Sequence, residues 1–231
     1  MRSVLVILSL VVLGFGPVMA APGGAGKPGA TESPAMSAAR LYLSVVAQIR
    51  PVAGRICRER APAADCSIQI VLDARPGQAA NAFQTTDQQG RALIVVNRAL
   101  ISKARNADEL ALVLGHEAAH QILGHNEQAR ENAFAGGMLG GVLAALSGGD
   151  AAQIERARAR GKTDGVLRFA ALYELEADRL GALIAFRAGF DPVRGAALYR
   201  RMPDPGPAAR ASHPPSKARL DAVRDTVARL R

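Results

Sequence analysis

A chain of 231 residues, 49% of them hydrophobic, can bury one sizeable core but has little room for a second full domain. Its formal charge of +9, from 29 basic and 20 acidic side chains, suits anionic surfaces such as lipid headgroups or envelope polymers. Nucleic acid is not an expected partner, because only 4% of residues are aromatic and no base-reading motif is present.

The first twenty residues, MRSVLVILSLVVLGFGPVMA, combine Arg2, an apolar run from Val4 to Phe15 and small residues before Ala21. That is the pattern of a cleavable secretory signal, and the run of about a dozen residues is short against the roughly 20 a bilayer requires. Residues 21–36 are Pro/Gly-rich and polar and read as a disordered leader, with the folded domain expected over 37–231. From Ser37, Leu41, Val45, Val46 and Ile49 recur at helical spacing, and Pro51 is expected to kink or end the run.

The only two cysteines, Cys57 and Cys66, follow. In an exported chain they are expected to pair, closing a small loop between the first helix and the first strand. A zinc site is not expected there, because no second Cys or His pair lies nearby. SIQIVLDA alternates apolar residues at Ile68, Ile70 and Leu72, a half-buried strand, and NAFQTTDQQGRALIVVNRALI holds two more strand-like runs around a Gln-Gly turn.

NADELALVLGHEAAHQILGHNEQARENA is the most helical segment, with Asn106 as its cap, Glu109 completing a capping-box-like start, and an apolar stripe through Leu110, Val113 and Leu114. In FAGGMLGGVLAALSGGD, glycines recur four apart at Gly136 and Gly140 and at Gly137 and Gly141, which lets helices approach closely. It reads as a tightly packed helix followed by a flexible loop, with a flap over a cleft or a membrane-touching hairpin as the functional alternatives. GVLRFAALYELEADRLGALIAFRAGF is a second long helix stopped at Gly189 and Asp191-Pro192, and a third spans roughly Val193 to Arg201. A Pro-rich loop, PDPGPAARASHPPS, leads to a closing amphipathic helix, KARLDAVRDTVARL. Three short strands followed by helices predict one mostly helical α+β domain with a small three-stranded sheet.

GHEAAHQILGH contains three of the chain's four histidines. His116 and His120, four apart on a helix, stack their imidazoles on adjacent turns where they can share one cation. Glu117 lies one step round, the place for a carboxylate that takes a proton from metal-bound water in an H-E-x-x-H metallopeptidase. The alternative is a buried, hydrogen-bonded histidine pair, which is costly on an apolar helix face without a partner. Catalytic zinc usually has three protein ligands and an open position. YELEADRLG offers the third ligand at Glu174, with Asp178 one turn on, where it can accept a hydrogen bond from a ligand histidine and fix its tautomer. Glu176 faces away and reads as a structural ion pair, and His125 reads as mainly structural.

H-E-x-x-H, then E-x-E-A-D, then a late HP before a basic helix resembles the gluzincin metallopeptidase family of HtpX, BepA and the CAAX prenyl protease, and in particular its soluble periplasmic branch. The likeness covers most of the chain beyond the leader, through NAF at 81–83, ELALVLGHEAAHQILGH, ELEADRLG and SHPPSKARL at 212–220. It implies a zincin-like domain with an H-E-x-x-H active-site helix, one Zn2+ held by His116, His120 and Glu174, Glu117 as general base, and a periplasmic location. It also implies that His213 approaches the zinc as a latch or donates to a developing oxyanion. Members often carry Tyr-Ser-Arg ahead of the glutamate ligand, where this chain has Phe169, Ala170 and Ala171.

The function expected on these grounds is a zinc-dependent endopeptidase of unfolded or misfolded envelope proteins. An edge strand from NAFQTTDQQGRALIVV would align extended polypeptide, and peripheral membrane contact is a further expected interaction. The rival expectation is a latched, weakly active, chaperone-like binding protein for misfolded periplasmic or outer-membrane proteins.

Overall fold

The computed structural model describes residues 33–89, 91–201 and 214–231; the expected signal, most of the expected leader and His213 lie outside them. Helix α1, Pro34–Arg60, starts three residues before Ser37 because Ser33 caps it, its hydroxyl accepting from the Met36 N–H at 3.3 Å, and Pro34 suits the first turn. Pro51 does not end the helix. The carbonyl it leaves without a donor belongs to Ala47, on the exposed side, where water can satisfy it. The buried side of α1, including Val45, Ile49, Val52 and Ile56, forms one wall of the core. Cys57, in its last turn, is disulfide-bonded to Cys66 with the Cα atoms 5.5 Å apart, which ties α1 to the approach to the sheet.

The sheet has the order β1-β3-β2, from strands β1 (Gln69–Asp73), β2 (Ala82–Thr86) and β3 (Ala92–Asn97). β2 and β3 form an antiparallel hairpin, and β1 runs parallel to β3 with Gln69 opposite Leu93. The turn is closed by the Asp87 carboxylate, which accepts from the Gln89 and Arg91 N–H groups at 2.9 and 2.8 Å. β3, in the centre, buries Ile94 and Val96, leaving β1 and β2 as edge strands, with the outer side of β2 unpaired among the described residues. Asn97 then caps α2 (Arg98–Lys103) through the Leu100 N–H, while its side-chain amide donates to the Ala79 carbonyl at 2.6 Å. One buried side chain thereby sets both the helix start and the entry into β2.

Helix α3, Ala107–Leu123, is capped by Asn106, whose side chain accepts from the Glu109 N–H at 3.0 Å. The expected return bond of the capping box is absent. The Glu109 carboxylate instead accepts from the Arg105 N–H and makes a two-pronged pair with Arg201 at 2.6 and 2.8 Å. The segment does not continue as one helix past Leu123. Gly124 adopts φ +67°, a left-handed conformation open to glycine at little cost, and α4 (His125–Leu146) sets off in a new direction.

α5, Ala151–Arg187, begins fourteen residues ahead of the expected Gly165. Asp150 and Gln153 form a reciprocal capping box, and Gly148 at φ +78° turns the chain, so the expected flexible loop is a tight link between two antiparallel helices. After α5, the expected third helix divides into α6 (Pro192–Gly195) and a 3₁₀ turn (Ala196–Arg201), and α7 (Ser216–Ala228) closes the fold. Among the described residues no helix is long and apolar enough to cross a membrane.

α3 and α5 meet with almost no space between them. A methyl group added at Gly115 would lie 2.7 Å from the Gly181 carbonyl oxygen, and one added at Gly181 would lie 2.7 Å from the His116 nitrogen. Only backbone-to-backbone approach fits, and it sets the distance between the side chains of the two helices. Gly181→Ala is expected to lower stability by roughly 1–3 kcal/mol through overpacking. Calorimetry should read this as a fall in Tm of about 2–4 °C per kcal/mol, whereas Gly149→Ala, in the α4–α5 link, should leave the α3–α5 spacing unchanged.

Candidate metal centre

His116 and His120 project from successive turns of α3, their Nε2 atoms 3.0 Å apart. Glu174, on α5, reaches both, with carboxylate oxygens 3.6 Å from His116 Nε2 and 3.3 Å from His120 Nε2. The three groups can each offer one ligand atom within 4.8 Å of the others, so they could hold one metal ion. Glu117 is half-buried in the wall of the same cleft, a space of about 430 Å3 that Ala82, Phe83 and Gln84 of the edge strand β2 also line.

The hydrogen bonds behind the imidazoles determine which nitrogens are free. His116 Nδ1–H donates to Asp178 at 3.0 Å, leaving its Nε2 lone pair directed at the cluster. Behind His120 stands His125, buried and stacked on Tyr173 at 4.6 Å between ring centres. Burial and the neighbouring His120 push the His125 pKa down to about 4, so near neutrality its ring carries a single proton. Its Nε2–H donates to Glu176 at 3.2 Å, which leaves Nδ1 to accept from His120 Nδ1–H at 2.8 Å. With His120 carrying that single proton, as a metal ligand does, its Nε2 is also a lone pair. Two imidazole lone pairs and a carboxylate aimed at one point repel one another unless a cation lies between them, and two nitrogens with one oxygen suit Zn2+.

Asp178 organises the far side. It is fully buried and accepts from His116, from the Tyr199 hydroxyl at 2.6 Å and from Arg219 Nε and Nη2, both at 2.7 Å. The Arg219 guanidinium also lies over the Tyr199 ring, 4.1 Å from its centre. Burial alone would raise the Asp178 pKa, but the Arg219 and His116 hydrogen bonds outweigh it and hold the carboxyl well below the usual range. Glu174 is likewise opposed by burial, yet the closeness of His120 and His116 and the charge of Arg219 bring it down to about 2. Burial disfavours a charged His116, and Asp178 overcomes this and raises its pKa, so the free nitrogen is a stronger base than in water. The Glu117 pKa is raised as well, in contrast to the other two carboxylates: burial lifts it, assisted by the nearby charge of Glu174.

The structure thus brings His116, His120, Glu174 and Asp178 together and puts Glu117 in the adjoining cleft wall. Glu176 pairs with a histidine rather than with a cation. Three further participants have no place at the site in the sequence reading, which takes His125 as mainly structural. His125 returns behind His120 because the chain reverses at Gly124, and a histidine in so histidine-poor a chain was the available signal. Arg219 stands beside Leu220 on the inner side of α7, within the SHPPSKARL stretch already singled out. Tyr199 lies in the 3₁₀ turn and carries no local signal.

A His–His–Glu cluster at the foot of a cleft, with the edge strand β2 along its side, is an arrangement suited to a metallopeptidase. Residues 45–227 match peptidase family M48, and the chain belongs to that family of metallopeptidases, in agreement with the resemblance drawn from its motifs. It is similar to the β-barrel assembly-enhancing proteases of Escherichia coli K12 and Shigella flexneri, 27% identical over 151 residues that make up 60% of this chain and 31% of each relative. The corresponding protein of Yersinia pestis is 28% identical over 145 residues, 57% of this chain and 30% of its own. The chain therefore aligns with less than a third of the length of these curated relatives.

Removing Arg219 would leave the Asp178 charge buried with its main counter-ion gone. Arg219→Gln is expected to cost about 3–5 kcal/mol, measured by denaturant unfolding, while Lys217→Gln, which breaks the exposed pair with Asp221 on the same helix, should cost less than about 1 kcal/mol.

Proposed function

We propose that this protein is a zinc-dependent endopeptidase acting on unfolded or misfolded envelope proteins. The observation that carries the reading is the placement of the ring partners: Asp178 and the Glu176–His125 pair each stand on the Nδ1 side of a histidine, so that both Nε2 atoms and Glu174 face one point. His116, His120 and Glu174 would hold the ion. Zinc, when bound, supplies the Lewis acidity that polarises a peptide carbonyl and makes a water molecule nucleophilic near neutral pH.

Glu117 accepts the proton of the attacking water on its carboxylate and passes it to the leaving amine. A carboxylate lifted above its usual pKa by burial is a stronger base for that transfer. The backbone of β2, unpaired along its outer edge among the described residues, aligns an extended polypeptide by strand addition, and this selects unfolded segments over folded domains. Export through residues 1–20 and similarity to proteases named for β-barrel assembly support a periplasmic setting and envelope substrates. His213, from the segment just ahead of α7, is proposed to regulate access to the ion.

Glu117→Gln is expected to keep zinc at wild-type stoichiometry while slowing cleavage of unfolded casein by roughly 10²–10⁴-fold. Retained cleavage would remove Glu117 from the mechanism. His213→Ala is expected to cleave at least as fast as wild type; if neither protein cleaves and wild type suppresses aggregation instead, the chaperone-like reading replaces the enzymatic one. His125→Ala should weaken zinc binding by roughly 10–100-fold, read by competition against a chelator.

A further inference from the structure

A feature that the cleft does not use is the outer face of α4. From Phe134 to Leu146 this helix has no charged residue. Phe134, Met138, Leu139, Val142, Leu143 and Leu146 are all exposed, Phe134 at 70% and Leu146 at 81%. The side turned to α5 is taken by Gly136, Gly137, Gly140 and Gly141, which sit so close that an added methyl at Gly136 or Gly140 would strike the backbone of Gly161 or Ala157. Glycine packing inward and large apolar side chains outward is the reverse of a helix that serves its own core, and none of the six belongs to a core cluster. A continuous apolar face of this kind marks a contact surface.

The neighbouring helix supplies the chemistry of the partner. Arg156, Arg158, Arg160 and Lys162 alternate with small residues, all four are exposed, and no acid interrupts them. At 100° per residue they divide between two flanks of α5. Arg160 lines a shallow groove with Leu139 and Leu143, a groove that also contains Asp164, while the Arg158 and Lys162 stems lie against Gly141 and Gly137 on the opposite side. The apolar face of α4 is thus bordered on both sides by long cationic side chains able to extend outward from apolar stems. Apolar residues flanked by cations match a bilayer surface, with its acyl boundary beneath anionic phosphates. Pairing of this face with a second copy would bring two sets of four cations together.

We propose that the α4–α5 hairpin docks the protein on anionic phospholipid membranes, with the α4 side chains in the acyl boundary and the α5 cations at the phosphates. Because α4 starts at His125, directly after the helix that carries His116 and His120, docking holds the cleft beside the membrane surface. The inference does not depend on the peptidase reading, since its readout is lipid binding.

The test is flotation of residues 33–231, which form one compact unit and exclude the apolar N-terminal run, with vesicles of phosphatidylglycerol and phosphatidylethanolamine or of phosphatidylcholine alone. Wild type is expected to float with the anionic vesicles, to favour them over the neutral ones, and to be released by high salt. Leu139→Gln and Leu143→Gln should each weaken binding roughly tenfold, and Arg156→Gln and Arg160→Gln roughly fivefold each. All four positions are exposed, so the variants are expected to keep the wild-type Tm. Wild type left in the lipid-free fraction, or variants that float as well as wild type, would overturn the proposal. So would a wild-type dimer in sedimentation that the leucine variants dissociate, since this face would then be a contact between copies.

Discussion

One buried carboxylate holds the centre of this protein together. Asp178 lies out of water and remains ionised only because His116 from α3, Tyr199 from the 3₁₀ turn and Arg219 from α7 all donate to it. An unpaired charge at that depth would be untenable. The need to satisfy it binds four segments that are distant in sequence into one arrangement. The Gly115–Gly181 contact makes this possible, because it brings α5 near enough for Asp178 and Glu174 to reach the same two turns of α3. Packing and electrostatics here act on the same pair of helices.

The two imidazoles are held in different ways. His116 faces a carboxylate backed by a guanidinium, a fully charged and buried arrangement. His120 faces a neutral histidine that passes its proton direction from a partly exposed glutamate. Both leave Nε2 free, but the His116 side is the more buried and the His120 side the more accessible to solvent. The acidic first turn of α3 adds a further tie: Asp108 accepts from the Asp191 N–H and from Arg194, and Glu109 pairs with Arg201. These bonds anchor both ends of the stretch that carries Tyr199. The site is thus also supported by ion pairs in the first turn of α3, ahead of the turns that carry the histidines.

Much of this was readable along the chain. The helical spacing of His116, Glu117 and His120, the carboxylates at Glu174 and Asp178, and the cysteine pair each rest on local periodicity or composition, which survive folding unchanged. Element boundaries were less legible. Pro51 reads as a kink or an end of the helix, yet α1 runs on past it because it faces solvent, where its missing N–H costs little. Gly165 reads as a helix start, yet the capping chemistry lies at Asp150 and Gln153. His125 reads as one more turn of the motif helix, and the left-handed Gly124 puts it on the next helix instead.

By itself, the sequence determined which residue types could meet a metal and which helices would carry them, because a 3.6-residue repeat converts spacing into a shared face. Only the tertiary structure decided which nitrogen of each histidine is free, since that depends on Asp178 and on the His125–Glu176 pair, brought in from elsewhere in the chain. It alone decided the countercharge for Asp178, because the position of Arg219 follows from how α7 packs. It also decided which face of α4 is left uncovered. Glycines four apart allow close approach on either side of a helix, and the fold turned them inward against α5 and the leucines out.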